Sequence, residues 1–277
     1  MKSIDINSLN SQELYRLLTS AVTPRPIAFV SSKDEQGINN LSPFSFFNIF
    51  SVTPPILVFS PVNRISNNSK KDTLNNVIKS KECVIALANK KIVQQVSLSS
   101  VNYDSKIDEF EKAGFTKIKA SLINANLIKE APVNFECKVN QIIELGKEGG
   151  AGNLVICEII KIHIDEKIMD HENKIDPLKL DIVSRLGHSW YGETKSESIF
   201  EIAKPISKIG IGFDGLPEEI LNSSIFTGNE LAMLASVDTI PSQKNKESIT
   251  LNTEEKHILA KKMLEQAKII EAWQILI

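Results

Sequence analysis

Thr23-Pro24-Arg25-Pro26-Ile27-Ala28 opens a strand-like run, and Asn40-Leu41-Ser42-Pro43-Phe44-Ser45-Phe46-Phe47-Asn48 comes shortly after it. Small hydroxyls, amides and rings alternate here within a segment that otherwise reads as β-strand. A strand meant only for a core carries apolar residues on its inward face. This one places Asn40, Ser42 and Asn48 in line with Phe44 and Phe46 at a period of two. That face offers hydrogen-bond donors, acceptors and ring surface, but no charge. It suits a flat, polar-edged heteroaromatic ligand, because small-molecule pockets are mostly apolar with a few placed polar groups.

The flanking segments decide the fold class. Ser8 to Ser20 reads as a short helix with Leu14, Leu17 and Leu18 on one face. Pro26 to Ser32 reads as a strand, Asp34-Glu35-Gln36-Gly37 as a turn, and Ile38 to Phe50 as a second strand. Pro55 to Ser60 is a third, fully apolar over Ile56-Leu57-Val58-Phe59, as expected of a strand buried on both faces. Asp72 to Ser80 predicts a helix capped by Asp72, and Glu82 to Ala88 a fourth strand. Lys90 to Gly114 is helical or irregular. Val133 to Asn140, cleanly alternating, and Leu154 to Ile164 complete the set. No regular strand–helix–strand rhythm appears, which favours an antiparallel sheet closed into a barrel over a doubly wound parallel sheet. From about Phe200 the β pattern stops. Asn252 to Ile277 reads as one amphipathic helix with Asn252 and Glu255 as a capping box. Its apolar stripe, Leu259, Met263, Ala267, Ile270, Trp273 and Ile277, is expected to pack on the barrel or on a second subunit. Two domains are therefore expected, 1–200 and 201–277.

Composition excludes several function classes. The chain has 277 residues, 42% hydrophobic and 24% charged, with net charge −2 and pI near 6.2. Neither nucleic acid nor an anionic membrane surface is an expected partner. The start lacks a signal-peptide core, and no apolar run approaches the ~20 residues of a membrane span; a cytoplasmic location is the expectation. Cys83, Cys137 and Cys157 are widely spaced in apolar runs without a C-x-x-C, so they read as buried, reduced thiols. The four histidines show no metal-ligand spacing.

Four constellations could carry chemistry. Gly210-Ile211-Gly212-Phe213-Asp214-Gly215 matches G-x-G-x-x-G, but the residues beyond Gly215 read as helices without a second βα unit, so a turn before a short helix is preferred to a dinucleotide site. Gly187-His188-Ser189-Trp190-Tyr191 lacks the last glycine of a nucleophile elbow. Ser69-Lys70-Lys71-Asp72-Thr73-Leu74 brings free N–H groups, a hydroxyl and an ammonium to a helix start, an arrangement that can hold a phosphate. An ordinary Asp-capped helix with solvated lysines is the commoner reading of that spacing alone. Arg185-Leu186-Gly187 with Trp190-Tyr191 fits a surface stacking pair as well as a ligand clamp.

Taken together, the chain resembles the flavin reductase-like family, the FMN-binding split β-barrel proteins that include flavoredoxins and NAD(P)H:flavin reductases. The matching segments are Thr23 to Ala28, Asn40 to Asn48, Pro54-Pro55-Ile56, Lys71-Asp72-Thr73, Asp108-Glu109-Phe110-Glu111-Lys112-Ala113-Gly114, Glu136-Cys137 and Arg185-Leu186-Gly187. They occur in the family's order and cover about residues 10 to 195. Leu216-Pro217-Glu218 and Thr227 to Ala232 look like the C-terminal extension of a longer subgroup.

The resemblance implies a mainly β fold: an antiparallel Greek-key split β-barrel with peripheral helices and a helical C-terminal extension. It implies bound FMN in a homodimer, with the flavin near the subunit interface. Asn40, Ser42, Ser45, Phe46 and Asn48 would line the ring and ribityl region, joined by Arg25, Pro26 and Ser60. Lys71, Asp72 and Thr73 would fall near the phosphate, and Arg185 and Trp190 would close one side. His188 stands where the family often has a second glycine, and Trp190 where a small or polar residue is usual. A ring at 190 would stack on the flavin or narrow the nicotinamide site. The implied activity is hydride transfer from NAD(P)H to flavin N5, with free flavin or a redox protein as acceptor. A flavoredoxin-like electron carrier served by a protein partner is the alternative, and a non-enzymatic flavin-binding or assembly protein a third reading.

Overall fold

The computed structural model describes residues 1–202, 209–242 and 251–277. The chain divides into two compact units, Met1–Ile199 and Phe200–Ile277. Among the described residues, no helix is long and apolar enough to cross a membrane.

The first unit runs α1 (Ser11–Ala21), β1 (Ala28–Lys33), β2 (Asn39–Phe44), β3 (Phe47–Val52), β4 (Pro55–Phe59), α2 (Asp72–Ser80), β5 (Glu82–Leu87), α3 (Val93–Leu98), α4 (Glu109–Ala113), β6 (Lys117–Lys119), β7 (Asn126–Ile128), β8 (Val133–Glu144), β9 (Asn153–Ile164), α5 (Pro177–Leu180), β10 (Val183–Arg185) and β11 (Tyr191–Glu193). Seven strands form one antiparallel sheet in the order β2-β1-β5-β8-β9-β4-β3.

The two edge strands, β2 and β3, are neighbours in sequence, joined only by Ser45 and Phe46. In a flat sheet six strand spacings would separate them by about 29 Å. Three Cα–Cα steps span at most about 11 Å. The sheet must therefore roll until its edges meet, yet no ladder joins β2 to β3. The result is a barrel with an open seam, and the Asn40–Asn48 stretch lies along that seam. This corrects the single strand expected over Ile38 to Phe50, since no Gly or Pro-Gly turn marks the step at Ser45-Phe46. The period-two face survives for Asn40, Ser42 and Phe44 within β2 and ends there.

Two buried clusters show why β1 and β5 are apolar on both faces. Ala28, Val30, Leu57, Phe59, Cys83, Ile85, Cys137, Val139, Val155 and Cys157 form one, into which α2 lays Leu74 and Val77. Phe29, Leu41, Val84 and Ala86 face the other way, against Phe110, Phe115, Ile123 and Ile128. α1 is closed by the reciprocal Asn10–Glu13 capping box. The Asp34 turn accepts the N–H groups of Gln36 and Ile38 on one carboxylate oxygen, with Gly37 at φ +83°. The pairs β6–β7 and β10–β11 have three-residue strands, too short to show a period in sequence.

The second unit contains α6 (Glu218–Leu221), α7 (Gly228–Leu234), α8 (Thr253–Leu264) and α9 (Ile269–Leu276). The capping box Asn252–Glu255 is present. The single helix expected from Asn252 to Ile277 is instead two, broken where Ala267 takes φ +58° without a glycine to announce it. The break rotates the buried stripe: Ala267 and Ile270 are exposed, while His257, Ala260, Leu264, Ala272 and Trp273 are buried. These side chains form a core with Leu216, Ile220, Phe226, Leu231 and Leu234, and Trp273 Nε1 donates to the Leu234 carbonyl at 3.1 Å. Within the second unit, α6 and α7 cover this buried stripe. The glycine-rich stretch is a turn, with Gly212 at φ +73° before the 3₁₀ turn Phe213–Gly215, and the described residues of the second unit include no strand.

Candidate functional site

A groove follows the seam. Its apolar end is a cleft of about 350 Å³ lined by Phe46, Phe47, Asn48, Phe50, Val58 and Ser60, among others. Phe46, Ser60 and Val62 are shared with a second cleft of about 230 Å³ that adds Tyr15, Ser42, Phe44, Ser45, Lys71 and Ser100. Ser42, Lys71 and Ser100 then lead into a narrow polar recess with Asn40, Arg64, Asp72, Thr73, Asn102 and Glu109. Small-molecule sites fall in this size range and combine apolar walls with a few polar groups.

The polar end is built on the start of α2. Lys71, not Asp72, occupies the cap position, and no side chain caps the helix. Asp72 is the first helical residue, and its carboxylate sits 3.3 Å from Arg64 Nη2. Arg64 is anchored further by donating to the Lys70 carbonyl at 2.6 Å and Ser69 Oγ at 3.2 Å. Lys71 Nζ donates to Asn102 Oδ1 at 3.2 Å, and burial together with nearby Arg64 lowers its pKa from the ordinary lysine value. Thr73 is 1% exposed and donates its hydroxyl inward to Asn40 Oδ1 at 2.5 Å. Uncapped helix N–H groups, the Lys71 ammonium, Arg64 and the Ser42 hydroxyl make a donor set that fits a phosphate.

Arg25 works beneath the groove. It is 7% exposed, and its Nη1 donates to the Thr19 and Val22 carbonyls at the end of α1. Nη2 reaches the Leu186 carbonyl at 3.4 Å and Nε reaches Ser45 Oγ at 3.4 Å. Its backbone exchanges hydrogen bonds with Arg185 at 3.0 and 2.9 Å. One guanidinium thus ties α1, the seam and the β10–β11 hairpin together. Gly187 is required at that hairpin because a Cβ would stand 3.0 Å from Ser20 Cα. Arg185 stacks 4.5 Å over Tyr191 and donates to the His188 carbonyl at 2.7 Å; Trp190 is 72% exposed. The structure places Arg185, Trp190 and Pro26 outside the groove lining, and sets Asn48 at the apolar end, where its Oδ1 accepts the Ile49 N–H at 2.8 Å.

Several lining residues carry no sequence signal. Ser100, Asn102 and Tyr103 lie in a loop without a motif, Arg64 stands alone, and Tyr15 belongs to a helix legible only by its leucines. Other buried polar groups are structural. Glu136 is 0% exposed and accepts from Ser121 Oγ and N–H, Leu122 N–H and His163 Nε2. Burial raises its pKa, but those hydrogen bonds outweigh burial and hold it at about 2. The three cysteines, remote in sequence, are all free and buried in one cluster, with Cys83 and Cys157 sulfurs 3.9 Å apart. Burial raises the Cys137 thiol well above its ordinary value, and the Cys83 contact does the same for Cys157.

Residues 20–179 match the flavin reductase like domain. The chain belongs to the flavin reductase-like family. An uncharacterized protein of Halalkalibacterium halodurans is 33% identical over 201 residues, 72% of this chain and 94% of its own. Nitrilotriacetate monooxygenase component B from Bacillus cereus superposes with TM-score 0.68 at 30% identity, covering 73% of this chain and 98% of that one. The 2-nitrobenzoate 2-nitroreductase NbaA of Pseudomonas fluorescens gives TM-score 0.63 at 28% identity, with 73% and 96% covered. A Shewanella frigidimarina protein with a split barrel domain shares the fold, at TM-score 0.61 and 24% identity over 72% of this chain and 96% of that one. Flavin is the cofactor class of this family, and oxidoreduction its chemistry. The fold expected from sequence, an antiparallel split barrel with peripheral and C-terminal helices, is the one observed.

Proposed function

We propose that this chain binds FMN and acts as a homodimeric, NAD(P)H-dependent flavin reductase. The observation that carries the reading is the polarity gradient of the seam groove: rings at one end, hydroxyls in the middle, and an uncapped helix start with Lys71 and Arg64 at the other. Phe46, Phe50 and Val58 would hold the isoalloxazine, Ser42, Ser45 and Ser60 its polar edge and ribityl chain, and Lys71 with the α2 N–H groups the phosphate. Bound FMN would supply the redox chemistry, as the acceptor of hydride from the nicotinamide. The chain's residues bind and orient: the aromatic wall excludes water, Arg25 fixes Ser45, and the hydroxyls offer donors where negative charge develops. No acid–base triad is required of it.

The homodimer is supported by apolar surface beside the groove. Leu17, Leu18 and Val22 of the α1 region are 39%, 48% and 63% exposed, and Ile49, Phe50 and Val52 of β3 are 58%, 68% and 78% exposed. Patches of this kind mark interaction sites, and a second copy would cover them while walling the flavin. Light scattering should report a dimer, and Phe50→Lys should give monomers that bind flavin more weakly; a wild-type monomer would end this part of the reading.

The direct test is a visible spectrum of the purified protein, then NADH and NADPH oxidation with FMN under air. Turnover supports the reductase. Bleaching of bound flavin only by a reduced protein partner would replace it with the electron carrier, and a protein that binds no flavin would refute both. The likeness to a monooxygenase component favours a multi-component oxidation system as the setting.

A further inference from the structure

A buried hydrogen-bond chain beside the groove runs in one direction. Asn76 Nδ2 donates to Ser32 Oγ at 3.1 Å, and Ser32 Oγ donates to Asn40 Oδ1 at 3.4 Å. Thr73 Oγ1 donates to the same oxygen at 2.5 Å. Asn40 Nδ2 in turn donates to Glu109 Oε1 at 3.2 Å, and the other carboxylate oxygen accepts the Leu41 N–H at 3.1 Å. All five side chains in the relay are buried. A carboxylate only accepts, so both Glu109 oxygens are matched to donors and the Asn40 amide has a single satisfied orientation. Burial raises the Glu109 pKa, as befits a carboxylate sunk at the start of α4 for its hydrogen bonds.

We infer that Glu109 is a positioning residue that sets the hydrogen-bond polarity of the phosphate subsite. By taking the Asn40 amide NH₂ it turns the amide oxygen to Thr73, and so keeps the Thr73 hydroxyl proton out of the recess that Thr73 shares with Lys71. The inference rests on the FMN reading above. Thr73 then contributes no side-chain donor to the phosphate, which Lys71, Arg64 and the α2 N–H groups hold without it. FMN would then be bound less tightly than this set of side chains would allow.

Glu109→Gln tests this at constant volume. The Leu41 N–H cannot turn, so it keeps the glutamine oxygen, and the new NH₂ faces Asn40. The Asn40 amide must then flip, presenting its NH₂ to Thr73 and releasing the hydroxyl proton to the recess. In fluorescence titrations the ratio of FMN to riboflavin affinity should rise about tenfold, the worth of one charge-assisted hydrogen bond. Adding Thr73→Val should return the ratio to the wild-type value, while Thr73→Val alone leaves it close to wild type. Asn40→Ala frees the same hydroxyl from the other side and should also raise the ratio, which keeps the test open if Glu109→Gln folds poorly. A gain that survives Thr73→Val would be mere relief of charge repulsion and would overturn the relay, as would an unchanged or lowered ratio. A wild type that binds FMN no better than riboflavin would instead remove the phosphate subsite, and one that binds neither would remove the FMN reading itself.

Discussion

Lys71→Ala is the substitution that separates a phosphate site from a capped helix with a solvated lysine. Lys71 stands at the cap position of α2 without capping it, and it is partly buried in the recess. Among the described residues its ammonium donates to a neutral amide, Asn102 Oδ1, whereas its neighbour Arg64 is already paired with Asp72. A phosphate would therefore gain a cation that forms no ion pair with a carboxylate among the described residues, although Asp72 lies near enough to act on its charge. A charge-assisted hydrogen bond is worth about 1.5–3 kcal/mol, which is roughly a 10- to 100-fold loss of FMN affinity on removing the side chain. Riboflavin, lacking the phosphate, should lose little. The assay is quenching of flavin fluorescence, with both ligands titrated into wild type and variant at one ionic strength. Equal losses for the two ligands would place Lys71 elsewhere on the flavin, and no loss for either would leave it a surface lysine; both refute the reasoning.

Arg25→Lys keeps a charge but loses the fork that reaches Thr19, Val22 and Leu186, so it should lower Tm and weaken FMN and riboflavin alike, in contrast to Lys71→Ala. Glu136→Gln should destabilise the first unit by about 3 kcal/mol at pH 7, the worth of a carboxyl held at about 2 against an ordinary value near 4.5. Because the folded pKa is the lower one, that stabilisation is full above about 4.5 and is lost as pH falls through about 2, so urea unfolding curves of variant and wild type should converge in acid. Deleting 252–277 removes Trp273, Leu264 and Ala260 from the second unit's core and should expose Leu231, Leu234 and Phe226, giving an aggregating product. Deleting 200–277 should leave a soluble first unit with its flavin spectrum; loss of flavin in that variant would assign the extension a part in the site.

The sequence alone determined what local chemistry can encode. Apolar runs and alternation marked β1, β4, β5, β8 and β9, because a buried strand writes its two faces into consecutive residues. The Asn252–Glu255 capping box marked the start of α8, and the leucines of α1 its apolar face. The polar-aromatic stretch, the lysines before α2 and five further motifs in register were enough to place the chain in its family. Only the tertiary structure decided what depends on closure. Two residues, Ser45 and Phe46, carry the chain from one sheet edge to the other, and nothing in their identity says that the edges meet. That closure turns one expected strand into the seam, brings Ser100 and Asn102 to Lys71, and separates Asn48 from Asn40. It also shows that Arg25 is spent on main-chain carbonyls and that Thr73 donates inward, since the partner of a hydrogen bond is fixed by approach in space and not by residue type. In the extension, an αL residue without glycine split the C-terminal helix and turned its buried face toward α6 and α7. Periodicity could not foresee that turn, because it assumes the helix goes on.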